Sequence, residues 1–237
     1  MDPKRFRFLN VACDGAILGA YETFQGSPCE QEGLFLIKQL IEPELLLEIQ
    51  ADVMHLLEVV EGPVDATRPA RVDFQQETQE RLTRILSRKP GLRGPLVQSL
   101  RRLPRVQGLS GHPAILAVLD AIGMVRPLER LSSLQVFLPW EEIFRERSHQ
   151  DYGGMLSEDS WTLQVPLHQV SKSRTGAVEV FPGTYRHGPL THSLIRDAKN
   201  QYLYETVDEQ PWKDVTTKSF EMELGDVAFF RCLNIHR

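Results

Sequence analysis

Apolar residues change their spacing along the chain near residue 125. Before that point they recur at helical intervals. Leu45, Leu46, Ile49, Val53, Leu56, Leu57 and Val60 repeat at steps of three and four, the period that lines one helix face. Pro43 suits the first turn of this helix, where its missing N–H costs nothing, and Gly62-Pro63 stops the pattern. A weaker stripe of Leu82, Ile85 and Leu86 ends at Pro90-Gly91, and a third helix is predicted from Pro113 through Ile115, Leu116, Leu119 and Ile122 to Gly123. Residues 6–24 mix apolar and small side chains without a clear period.

After residue 125 the period falls toward two. Trp161, Leu163, Val165 and Leu167 alternate with Thr162, Gln164 and Pro166, and Phe220, Met222 and Leu224 alternate with Ser219, Glu221 and Glu223. Both read as half-buried strands. A β-rich run, Gly176 to Phe181, ends in the turn signal Pro182-Gly183, and Gly225-Asp226 separates the Phe220 strand from one over Val227 to Ile235. Short strands spaced by turns predict a mainly β, α+β protein: a sandwich or barrel (126–237) behind a helical N-terminal half (1–125), as a single domain over 1–237.

Composition narrows the class. The 237 residues are 41% hydrophobic and 25% charged, which argues against disorder, collagen or coiled coil. With 27 basic against 32 acidic residues the net charge is −5, the wrong sign for a general nucleic-acid coat. No run reaches the ~18 apolar residues of a membrane span, and the first residues carry no secretory pattern. Cys13, Cys29 and Cys232 are odd in number and scattered, a pattern of reducing compartments rather than of a disulfide framework. A soluble cytoplasmic protein is expected. One basic stretch stands out: Arg88, Lys89, Arg93, Arg101, Arg102 and Arg105 have no acidic residue among them. It reads first as a solvated helical face and second as a landing surface for something anionic.

Of the seven histidines, His149 is set apart by the His149-Gln150-Asp151 triplet. Residues two apart on extended chain project to one side, so an imidazole and a carboxylate can converge there. A third ligand from a distant strand would complete a two-His, one-carboxylate facial set, the donor set of non-haem Fe(II) sites with open coordination positions. Competing motifs are weaker. Gly108-Leu109-Ser110-Gly111-His112 has His where a nucleophile elbow needs Gly, and no phosphate or dinucleotide loop is present. His187 and His192 read as loop residues, and Trp161 and Phe229-Phe230 as core.

Downstream of the triplet come Gly176-Ala177-Val178-Glu179-Val180-Phe181-Pro182-Gly183-Thr184-Tyr185-Arg186-His187-Gly188, then Leu224-Gly225-Asp226-Val227-Ala228-Phe229-Phe230, and finally Asn234-Ile235-His236-Arg237. With Glu32 to Ile37 ahead of the Pro43 helix, and Gly111 to Leu116, this order resembles the phytanoyl-CoA dioxygenase family of Fe(II)- and 2-oxoglutarate-dependent oxygenases from about residue 30 onward. Tyr185 stands where that family more often has His, in a position that carries no metal.

The resemblance implies a double-stranded β-helix core (jelly roll, cupin-like), with His149, Asp151 and His236 as metal ligands. It implies Fe(II), 2-oxoglutarate as co-substrate with ascorbate allowed beside it, oxygen, and a small-molecule substrate that is hydroxylated as 2-oxoglutarate goes to succinate. Asp151 itself favours hydroxylation, since related halogenating enzymes lack a carboxylate there. Gln150 would help seat the co-substrate or serve as a strand spacer. Gln135, on a strand expected over Ser133 to Leu138, would line the pocket wall or face solvent, and Leu138-Pro139 replaces a family lysine.

The family also places an arginine beyond the distal histidine to pair with the far carboxylate of 2-oxoglutarate. Here the chain stops at Arg237, and both Arg237 and Arg231 have the wrong parity to replace it. The domain is therefore expected to lack its closing strand or strands. The rival reading is a truncated or catalytically silent β-sandwich that binds a metabolite or partner; a third is a cupin-like metalloenzyme without 2-oxoglutarate. Substrate contacts are expected from residues 145–147, 152–160 and 190–212.

Overall fold

The computed structural model describes residues 11–13, 16–18, 27–62, 73–124, 126–129, 134–135, 147–151, 157–170, 177–196 and 202–237. The chain forms two compact units, one of residues 41–138 and one of residues 1–40 with 139–237.

The 41–138 unit is helical: α1 lies outside it at Pro28–Glu32, and α2 (Pro43–Glu61), α3 (Phe74–Arg88), α4 (Arg93–Arg101), α5 (Pro104–Gly108) and α6 (Pro113–Ala121) lie within it. Leu46, Ile49, Val53 and Leu57 bury the predicted stripe of α2, and Leu82 and Ile85 that of α3. Between these two helices Arg81 reaches Glu58, Glu61 and Glu77. The basic stretch is partly neutralised, because Arg105 holds both Glu48 and Asp52 at 2.8 Å. No helix among the described residues is long and apolar enough to cross a membrane.

The other unit is built of antiparallel strands: β1 (Val11–Cys13), β2 (Ala16–Leu18), β3 (Leu34–Ile37), β4 (Trp161–Gln164), β5 (Glu179–Val180), β6 (Ser193–Arg196), β7 (Tyr202–Thr206), β8 (Lys218–Ser219) and β9 (Val227–Arg231). The larger sheet runs β2-β1-β3-β9-β4, with Phe35 opposite Phe229 and Leu163 opposite Phe229 on the far side. Its central strands are buried on both faces, which explains why Leu34 to Ile37 and Val227 to Phe230 are unbroken apolar runs. One face stacks Phe35 on Phe229 at 4.8 Å and Trp161 edge-on to Phe35. The other packs Leu34 and Phe230 against Val180, and Leu36 and Ala228 against Val170 and Met222.

A second, smaller set of pairings faces it: β8 with β5, β5 with the chain end through Val180 and His236, and the chain end with residue 149. The jelly-roll expectation is therefore met only at the level of antiparallel sheets in one unit and helices in the other, with no closed barrel among the described residues. Two local expectations differ. The strand predicted around Phe220 to Leu224 is β8 plus one bridge from Met222 to Val170. The strand predicted over 227–235 stops at Arg231, because residues 232–234 turn and carry His236 to the other sheet. Cys29, buried in α1, is disulfide-bonded, a departure from the unbridged pattern expected of the cysteines.

The motif residues act as fasteners. Asp226, almost fully buried, accepts from Lys38 Nζ at 2.7 Å and from the backbone N–H groups of Gln39 and Glu223, closing the Gly225 turn. Asn234 donates to the carbonyls of Glu32 and Gly33 and accepts from Tyr185 N–H. Gly33 ends α1 at φ +67°, and a Cβ there would lie 2.7 Å from the Tyr185 ring and 2.8 Å from Arg231 Cγ. Gly33→Ala combines a disfavoured φ with a steric conflict, so it should cost about 2 kcal/mol of unfolding free energy. Denaturant unfolding of the variant checks this; wild-type stability would mean that Tyr185 and Arg231 yield freely.

Candidate metal centre

His149 and His236 meet through one antiparallel bridge. His149 N–H donates to His236 C=O at 2.9 Å, and His236 N–H donates back at 3.0 Å. Residues directly opposite on an antiparallel pair project to the same side, and the two ring centroids stand 4.3 Å apart. Asp151, two residues on, falls on that side as well, anchored by its N–H on Cys232 C=O at 2.9 Å. Its Oδ1 lies 3.7 Å from His149 Nε2 and its Oδ2 3.6 Å from His236 Nε2. One ligand atom from each of the three residues lies within 4.8 Å of the others, so the group is placed to hold a metal ion.

The hydrogen bonds set the donor atoms. His149 Nδ1 sits 2.7 Å from Arg147 C=O and His236 Nδ1 3.0 Å from Asn234 C=O. A carbonyl only accepts, so each Nδ1 carries a proton, and in a neutral ring Nε2 then presents its lone pair to the centre. Burial pushes the His236 imidazole down to about 4 despite the pull of Asp151, which keeps the ring neutral. Burial would raise the Asp151 carboxyl, yet the facing imidazoles of His149 and His236 and the Thr162 hydroxyl hold it well below the usual carboxylate range. Two neutral nitrogens and one carboxylate oxygen fit a divalent transition ion, with positions left for water or ligand.

Neighbouring strands of the larger sheet supply a wall. Phe230 of β9 packs its ring 4.8 Å from that of His236. Thr162 of β4, in register with Phe230, donates its hydroxyl to Asp151 Oδ2 at 2.7 Å. Engaging that oxygen favours a monodentate carboxylate through Oδ1. Thr162 carries no motif signal, though its place on the alternating 161–167 pattern puts it on one face of β4. Cys232, behind Asp151, is buried; burial pushes its thiol up to about 11.

The other predicted residues lie apart from this cluster. Gln150 is buried with its carboxamide committed to backbone: Nε2 donates to Leu233 C=O at 2.7 Å and Gly188 C=O at 3.1 Å, and Oε1 accepts from Leu190 N–H at 2.8 Å. It ties the 188–190 loop to the ligand strand. Gln135 is exposed and belongs to the 41–138 unit; most of the strand expected around it, with Leu138-Pro139, lies outside the described residues. Arg237 is bound to Glu179 and Glu209, and Arg231 to Asp159 beneath the rings of Trp161 and Tyr185. His192 accepts the Gln150 N–H, and His187 packs edge-on to Trp212. Of the expected substrate-contacting segments, residues 145–146 and 152–156 lie outside the described residues, and 190–212 contains the β6–β7 hairpin. An open cleft of about 500 Å³ is lined by Phe181, Glu209, Trp212, Lys213 and Arg237 among others, and no cluster residue borders it.

No family model and no curated protein matches the chain. Among solved structures it is similar to the epimerase SnoN in complex with Fe3+, alpha ketoglutarate and nogalamycin RO, at 14% identity and a TM-score of 0.47 over 88% of this chain and 73% of that one. A second structure, of the non-heme alpha ketoglutarate dependent epimerase SnoN from nogalamycin biosynthesis, gives 14%, 0.46, 88% and 70%. At that level of likeness neither assigns a reaction to this chain.

Neutral burial of His236 has a consequence for the metal-free protein. The unfolded chain takes up the imidazole proton near pH 6.5 and the folded one only near 4. Protons are bound first by the unfolded state, so this contribution to stability is complete above 6.5 and is lost as pH falls toward 4. The loss should reach about 3 kcal/mol. Urea unfolding between pH 7.5 and 4 measures it, and His236→Gln should flatten the fall within that window; an equally steep profile in the variant would assign the loss to other groups.

Proposed function

We propose that the chain is a non-haem Fe(II)- and 2-oxoglutarate-dependent dioxygenase that hydroxylates a small organic molecule, within or near the phytanoyl-CoA dioxygenase family. One observation carries the reading: the His149 and Asp151 pair and His236, distant from it in sequence, converge with three ligand atoms inside 4.8 Å. The ordered motifs that resemble the family support it from the sequence. Bound iron would supply the coupling of oxygen to two oxidations, that of 2-oxoglutarate to succinate and carbon dioxide and that of a substrate C–H bond to C–OH.

The chain's own residues prepare that chemistry. Arg147 and Asn234 carbonyls hold the Nδ1 protons and so aim both Nε2 lone pairs inward. Thr162 occupies one Asp151 oxygen, which keeps the carboxylate from taking a second coordination position. Phe230 shields the His236 ring from water. The carboxylate at Asp151 would hold the metal where halogenating enzymes of the family it resembles leave room for halide, in favour of hydroxylation.

A second reading, a cupin-like metal site that does not use 2-oxoglutarate, draws on the arginines. Arg237 is committed to Glu179 and Glu209, and Arg231 to Asp159, whereas the far carboxylate of 2-oxoglutarate calls for a cation, most selectively a bidentate arginine.

Anaerobic titration calorimetry with Fe(II), then 2-oxoglutarate, followed by succinate measurement in air, separates the two. The dioxygenase reading expects metal binding, co-substrate binding only after metal, and succinate. Asp151→Ala should weaken metal binding by more than ~100-fold and abolish succinate with the circular dichroism spectrum unchanged. Metal binding without 2-oxoglutarate binding supports the second reading, and no metal binding by the wild type overturns both.

A further inference from the structure

We propose that Glu209 is a positioning residue for the metal centre, clamping together from behind the two strands that carry His149 and His236. The proposal rests on the metal reading above, and it starts from how those strands are joined. Among the described residues their backbone links are the bridge at 149 and 236 and the bond from Asp151 N–H to Cys232 C=O, with the Gln150 amide on Leu233 C=O beside them. All of these lie at the ligands or toward Cys232, so the Ser148–Arg237 end depends on other contacts, and a metal site tolerates only a fraction of an ångström of splay.

Alternation along extended chain turns Ser148 and Arg237 to the face opposite His149 and His236. On that face one carboxylate takes both. Ser148 Oγ, on a residue 1% exposed, donates to Glu209 Oε1 at 2.5 Å, and Arg237 Nη1 donates to Glu209 Oε2 at 2.7 Å. Each oxygen thus serves one ligand strand. Arg237 extends the tie to the next segment through Glu179 Oε2, 3.0 Å from both Nε and Nη2. Glu209 is in turn delivered by the end of β7, where Val207 N–H and Thr206 Oγ1 both donate to Ser148 C=O, at 2.7 and 3.1 Å.

The Glu209–Arg237 pair is roughly two-fifths exposed on each side, so its share of global stability is small. Its share of strand geometry is not, because each oxygen lies one residue from a ligand. Removing the clamp should therefore loosen the site more than the fold.

Co(II), a spectroscopic stand-in for iron, tests this on the intact chain by visible absorption titration and calorimetry, with thermal unfolding of the metal-free protein alongside. Glu209→Ala should weaken Co(II) binding about tenfold and shift the d–d bands, with the metal-free melting temperature within about 3 °C of wild type. Glu209→Gln, which keeps the Ser148 acceptor, should recover part of the loss. Ser148→Ala combined with Glu209→Ala should lose less affinity than the two single losses together. Wild type that binds no Co(II) overturns the metal reading itself. Wild type that binds, with Glu209→Ala unchanged in affinity and spectrum, overturns the clamp alone, as does an affinity loss matched by a large fall in melting temperature.

Discussion

One antiparallel backbone bridge organises this protein. Where residue 149 meets residue 236, two peptide hydrogen bonds of 2.9 and 3.0 Å bring two imidazoles to one side of the chain. Everything polar and buried nearby serves that meeting. The 232–234 turn must lift the chain off β9 and across to residue 149, and Asn234 holds the turn by using both ends of its amide on the Glu32–Gly33 and Tyr185 backbone. Thr184 fixes the following residue by accepting from Ile235 N–H while donating to Phe181 C=O. Leaving any of these buried groups unpaired costs far more than forming the pair gains. The turn is therefore specified by polar residues as well as by the packing of Cys232, Leu233 and Ile235.

The same facts explain the motifs. Gly33 is glycine because the left-handed turn brings its Cα under Tyr185 and Arg231. Pro182-Gly183-Thr184-Tyr185 matters for what it holds, since Thr184 and Tyr185 reach the segment bearing His236 and Tyr185 Oη reaches Glu30 C=O. Asp226 follows Gly225 because a carboxylate there can satisfy the turn, Gln39 N–H and Lys38 together. The short patterns are records of buried hydrogen bonds.

Much of this was legible in advance and some was not, for physical reasons. Periodicity placed α2 and α6 well because amphipathic helices repeat their burial every turn, and Pro43, Gly62 and Pro113 mark their ends. The His149-x-Asp151 pair and His236 were visible because residue type and two-residue spacing are written in the chain. For Gln150 the sequence leaves open a co-substrate contact or a strand spacer: its place between His149 and Asp151 says which face it occupies, and only the structure shows its amide spent on Gly188, Leu190 and Leu233. Thr162 and Glu209 had no signal, since each acts through a partner far away in sequence. The β6–β7 hairpin was hidden because β6, with Leu194 exposed, lacks a buried face that alternation could reveal.

The charge balance of the cluster would give a bound metal ion a structural role. With His236 held neutral by burial and Asp151 held ionised, the carboxylate places a negative charge beside the Nε2 lone pair of His236. Thr162 donates one hydrogen bond to that charge, and the facing imidazoles help to hold it. A divalent cation would engage the carboxylate and the ring nitrogens together. Because it would bind only when the bridge at 149 and 236 is formed, its binding free energy would add to folding.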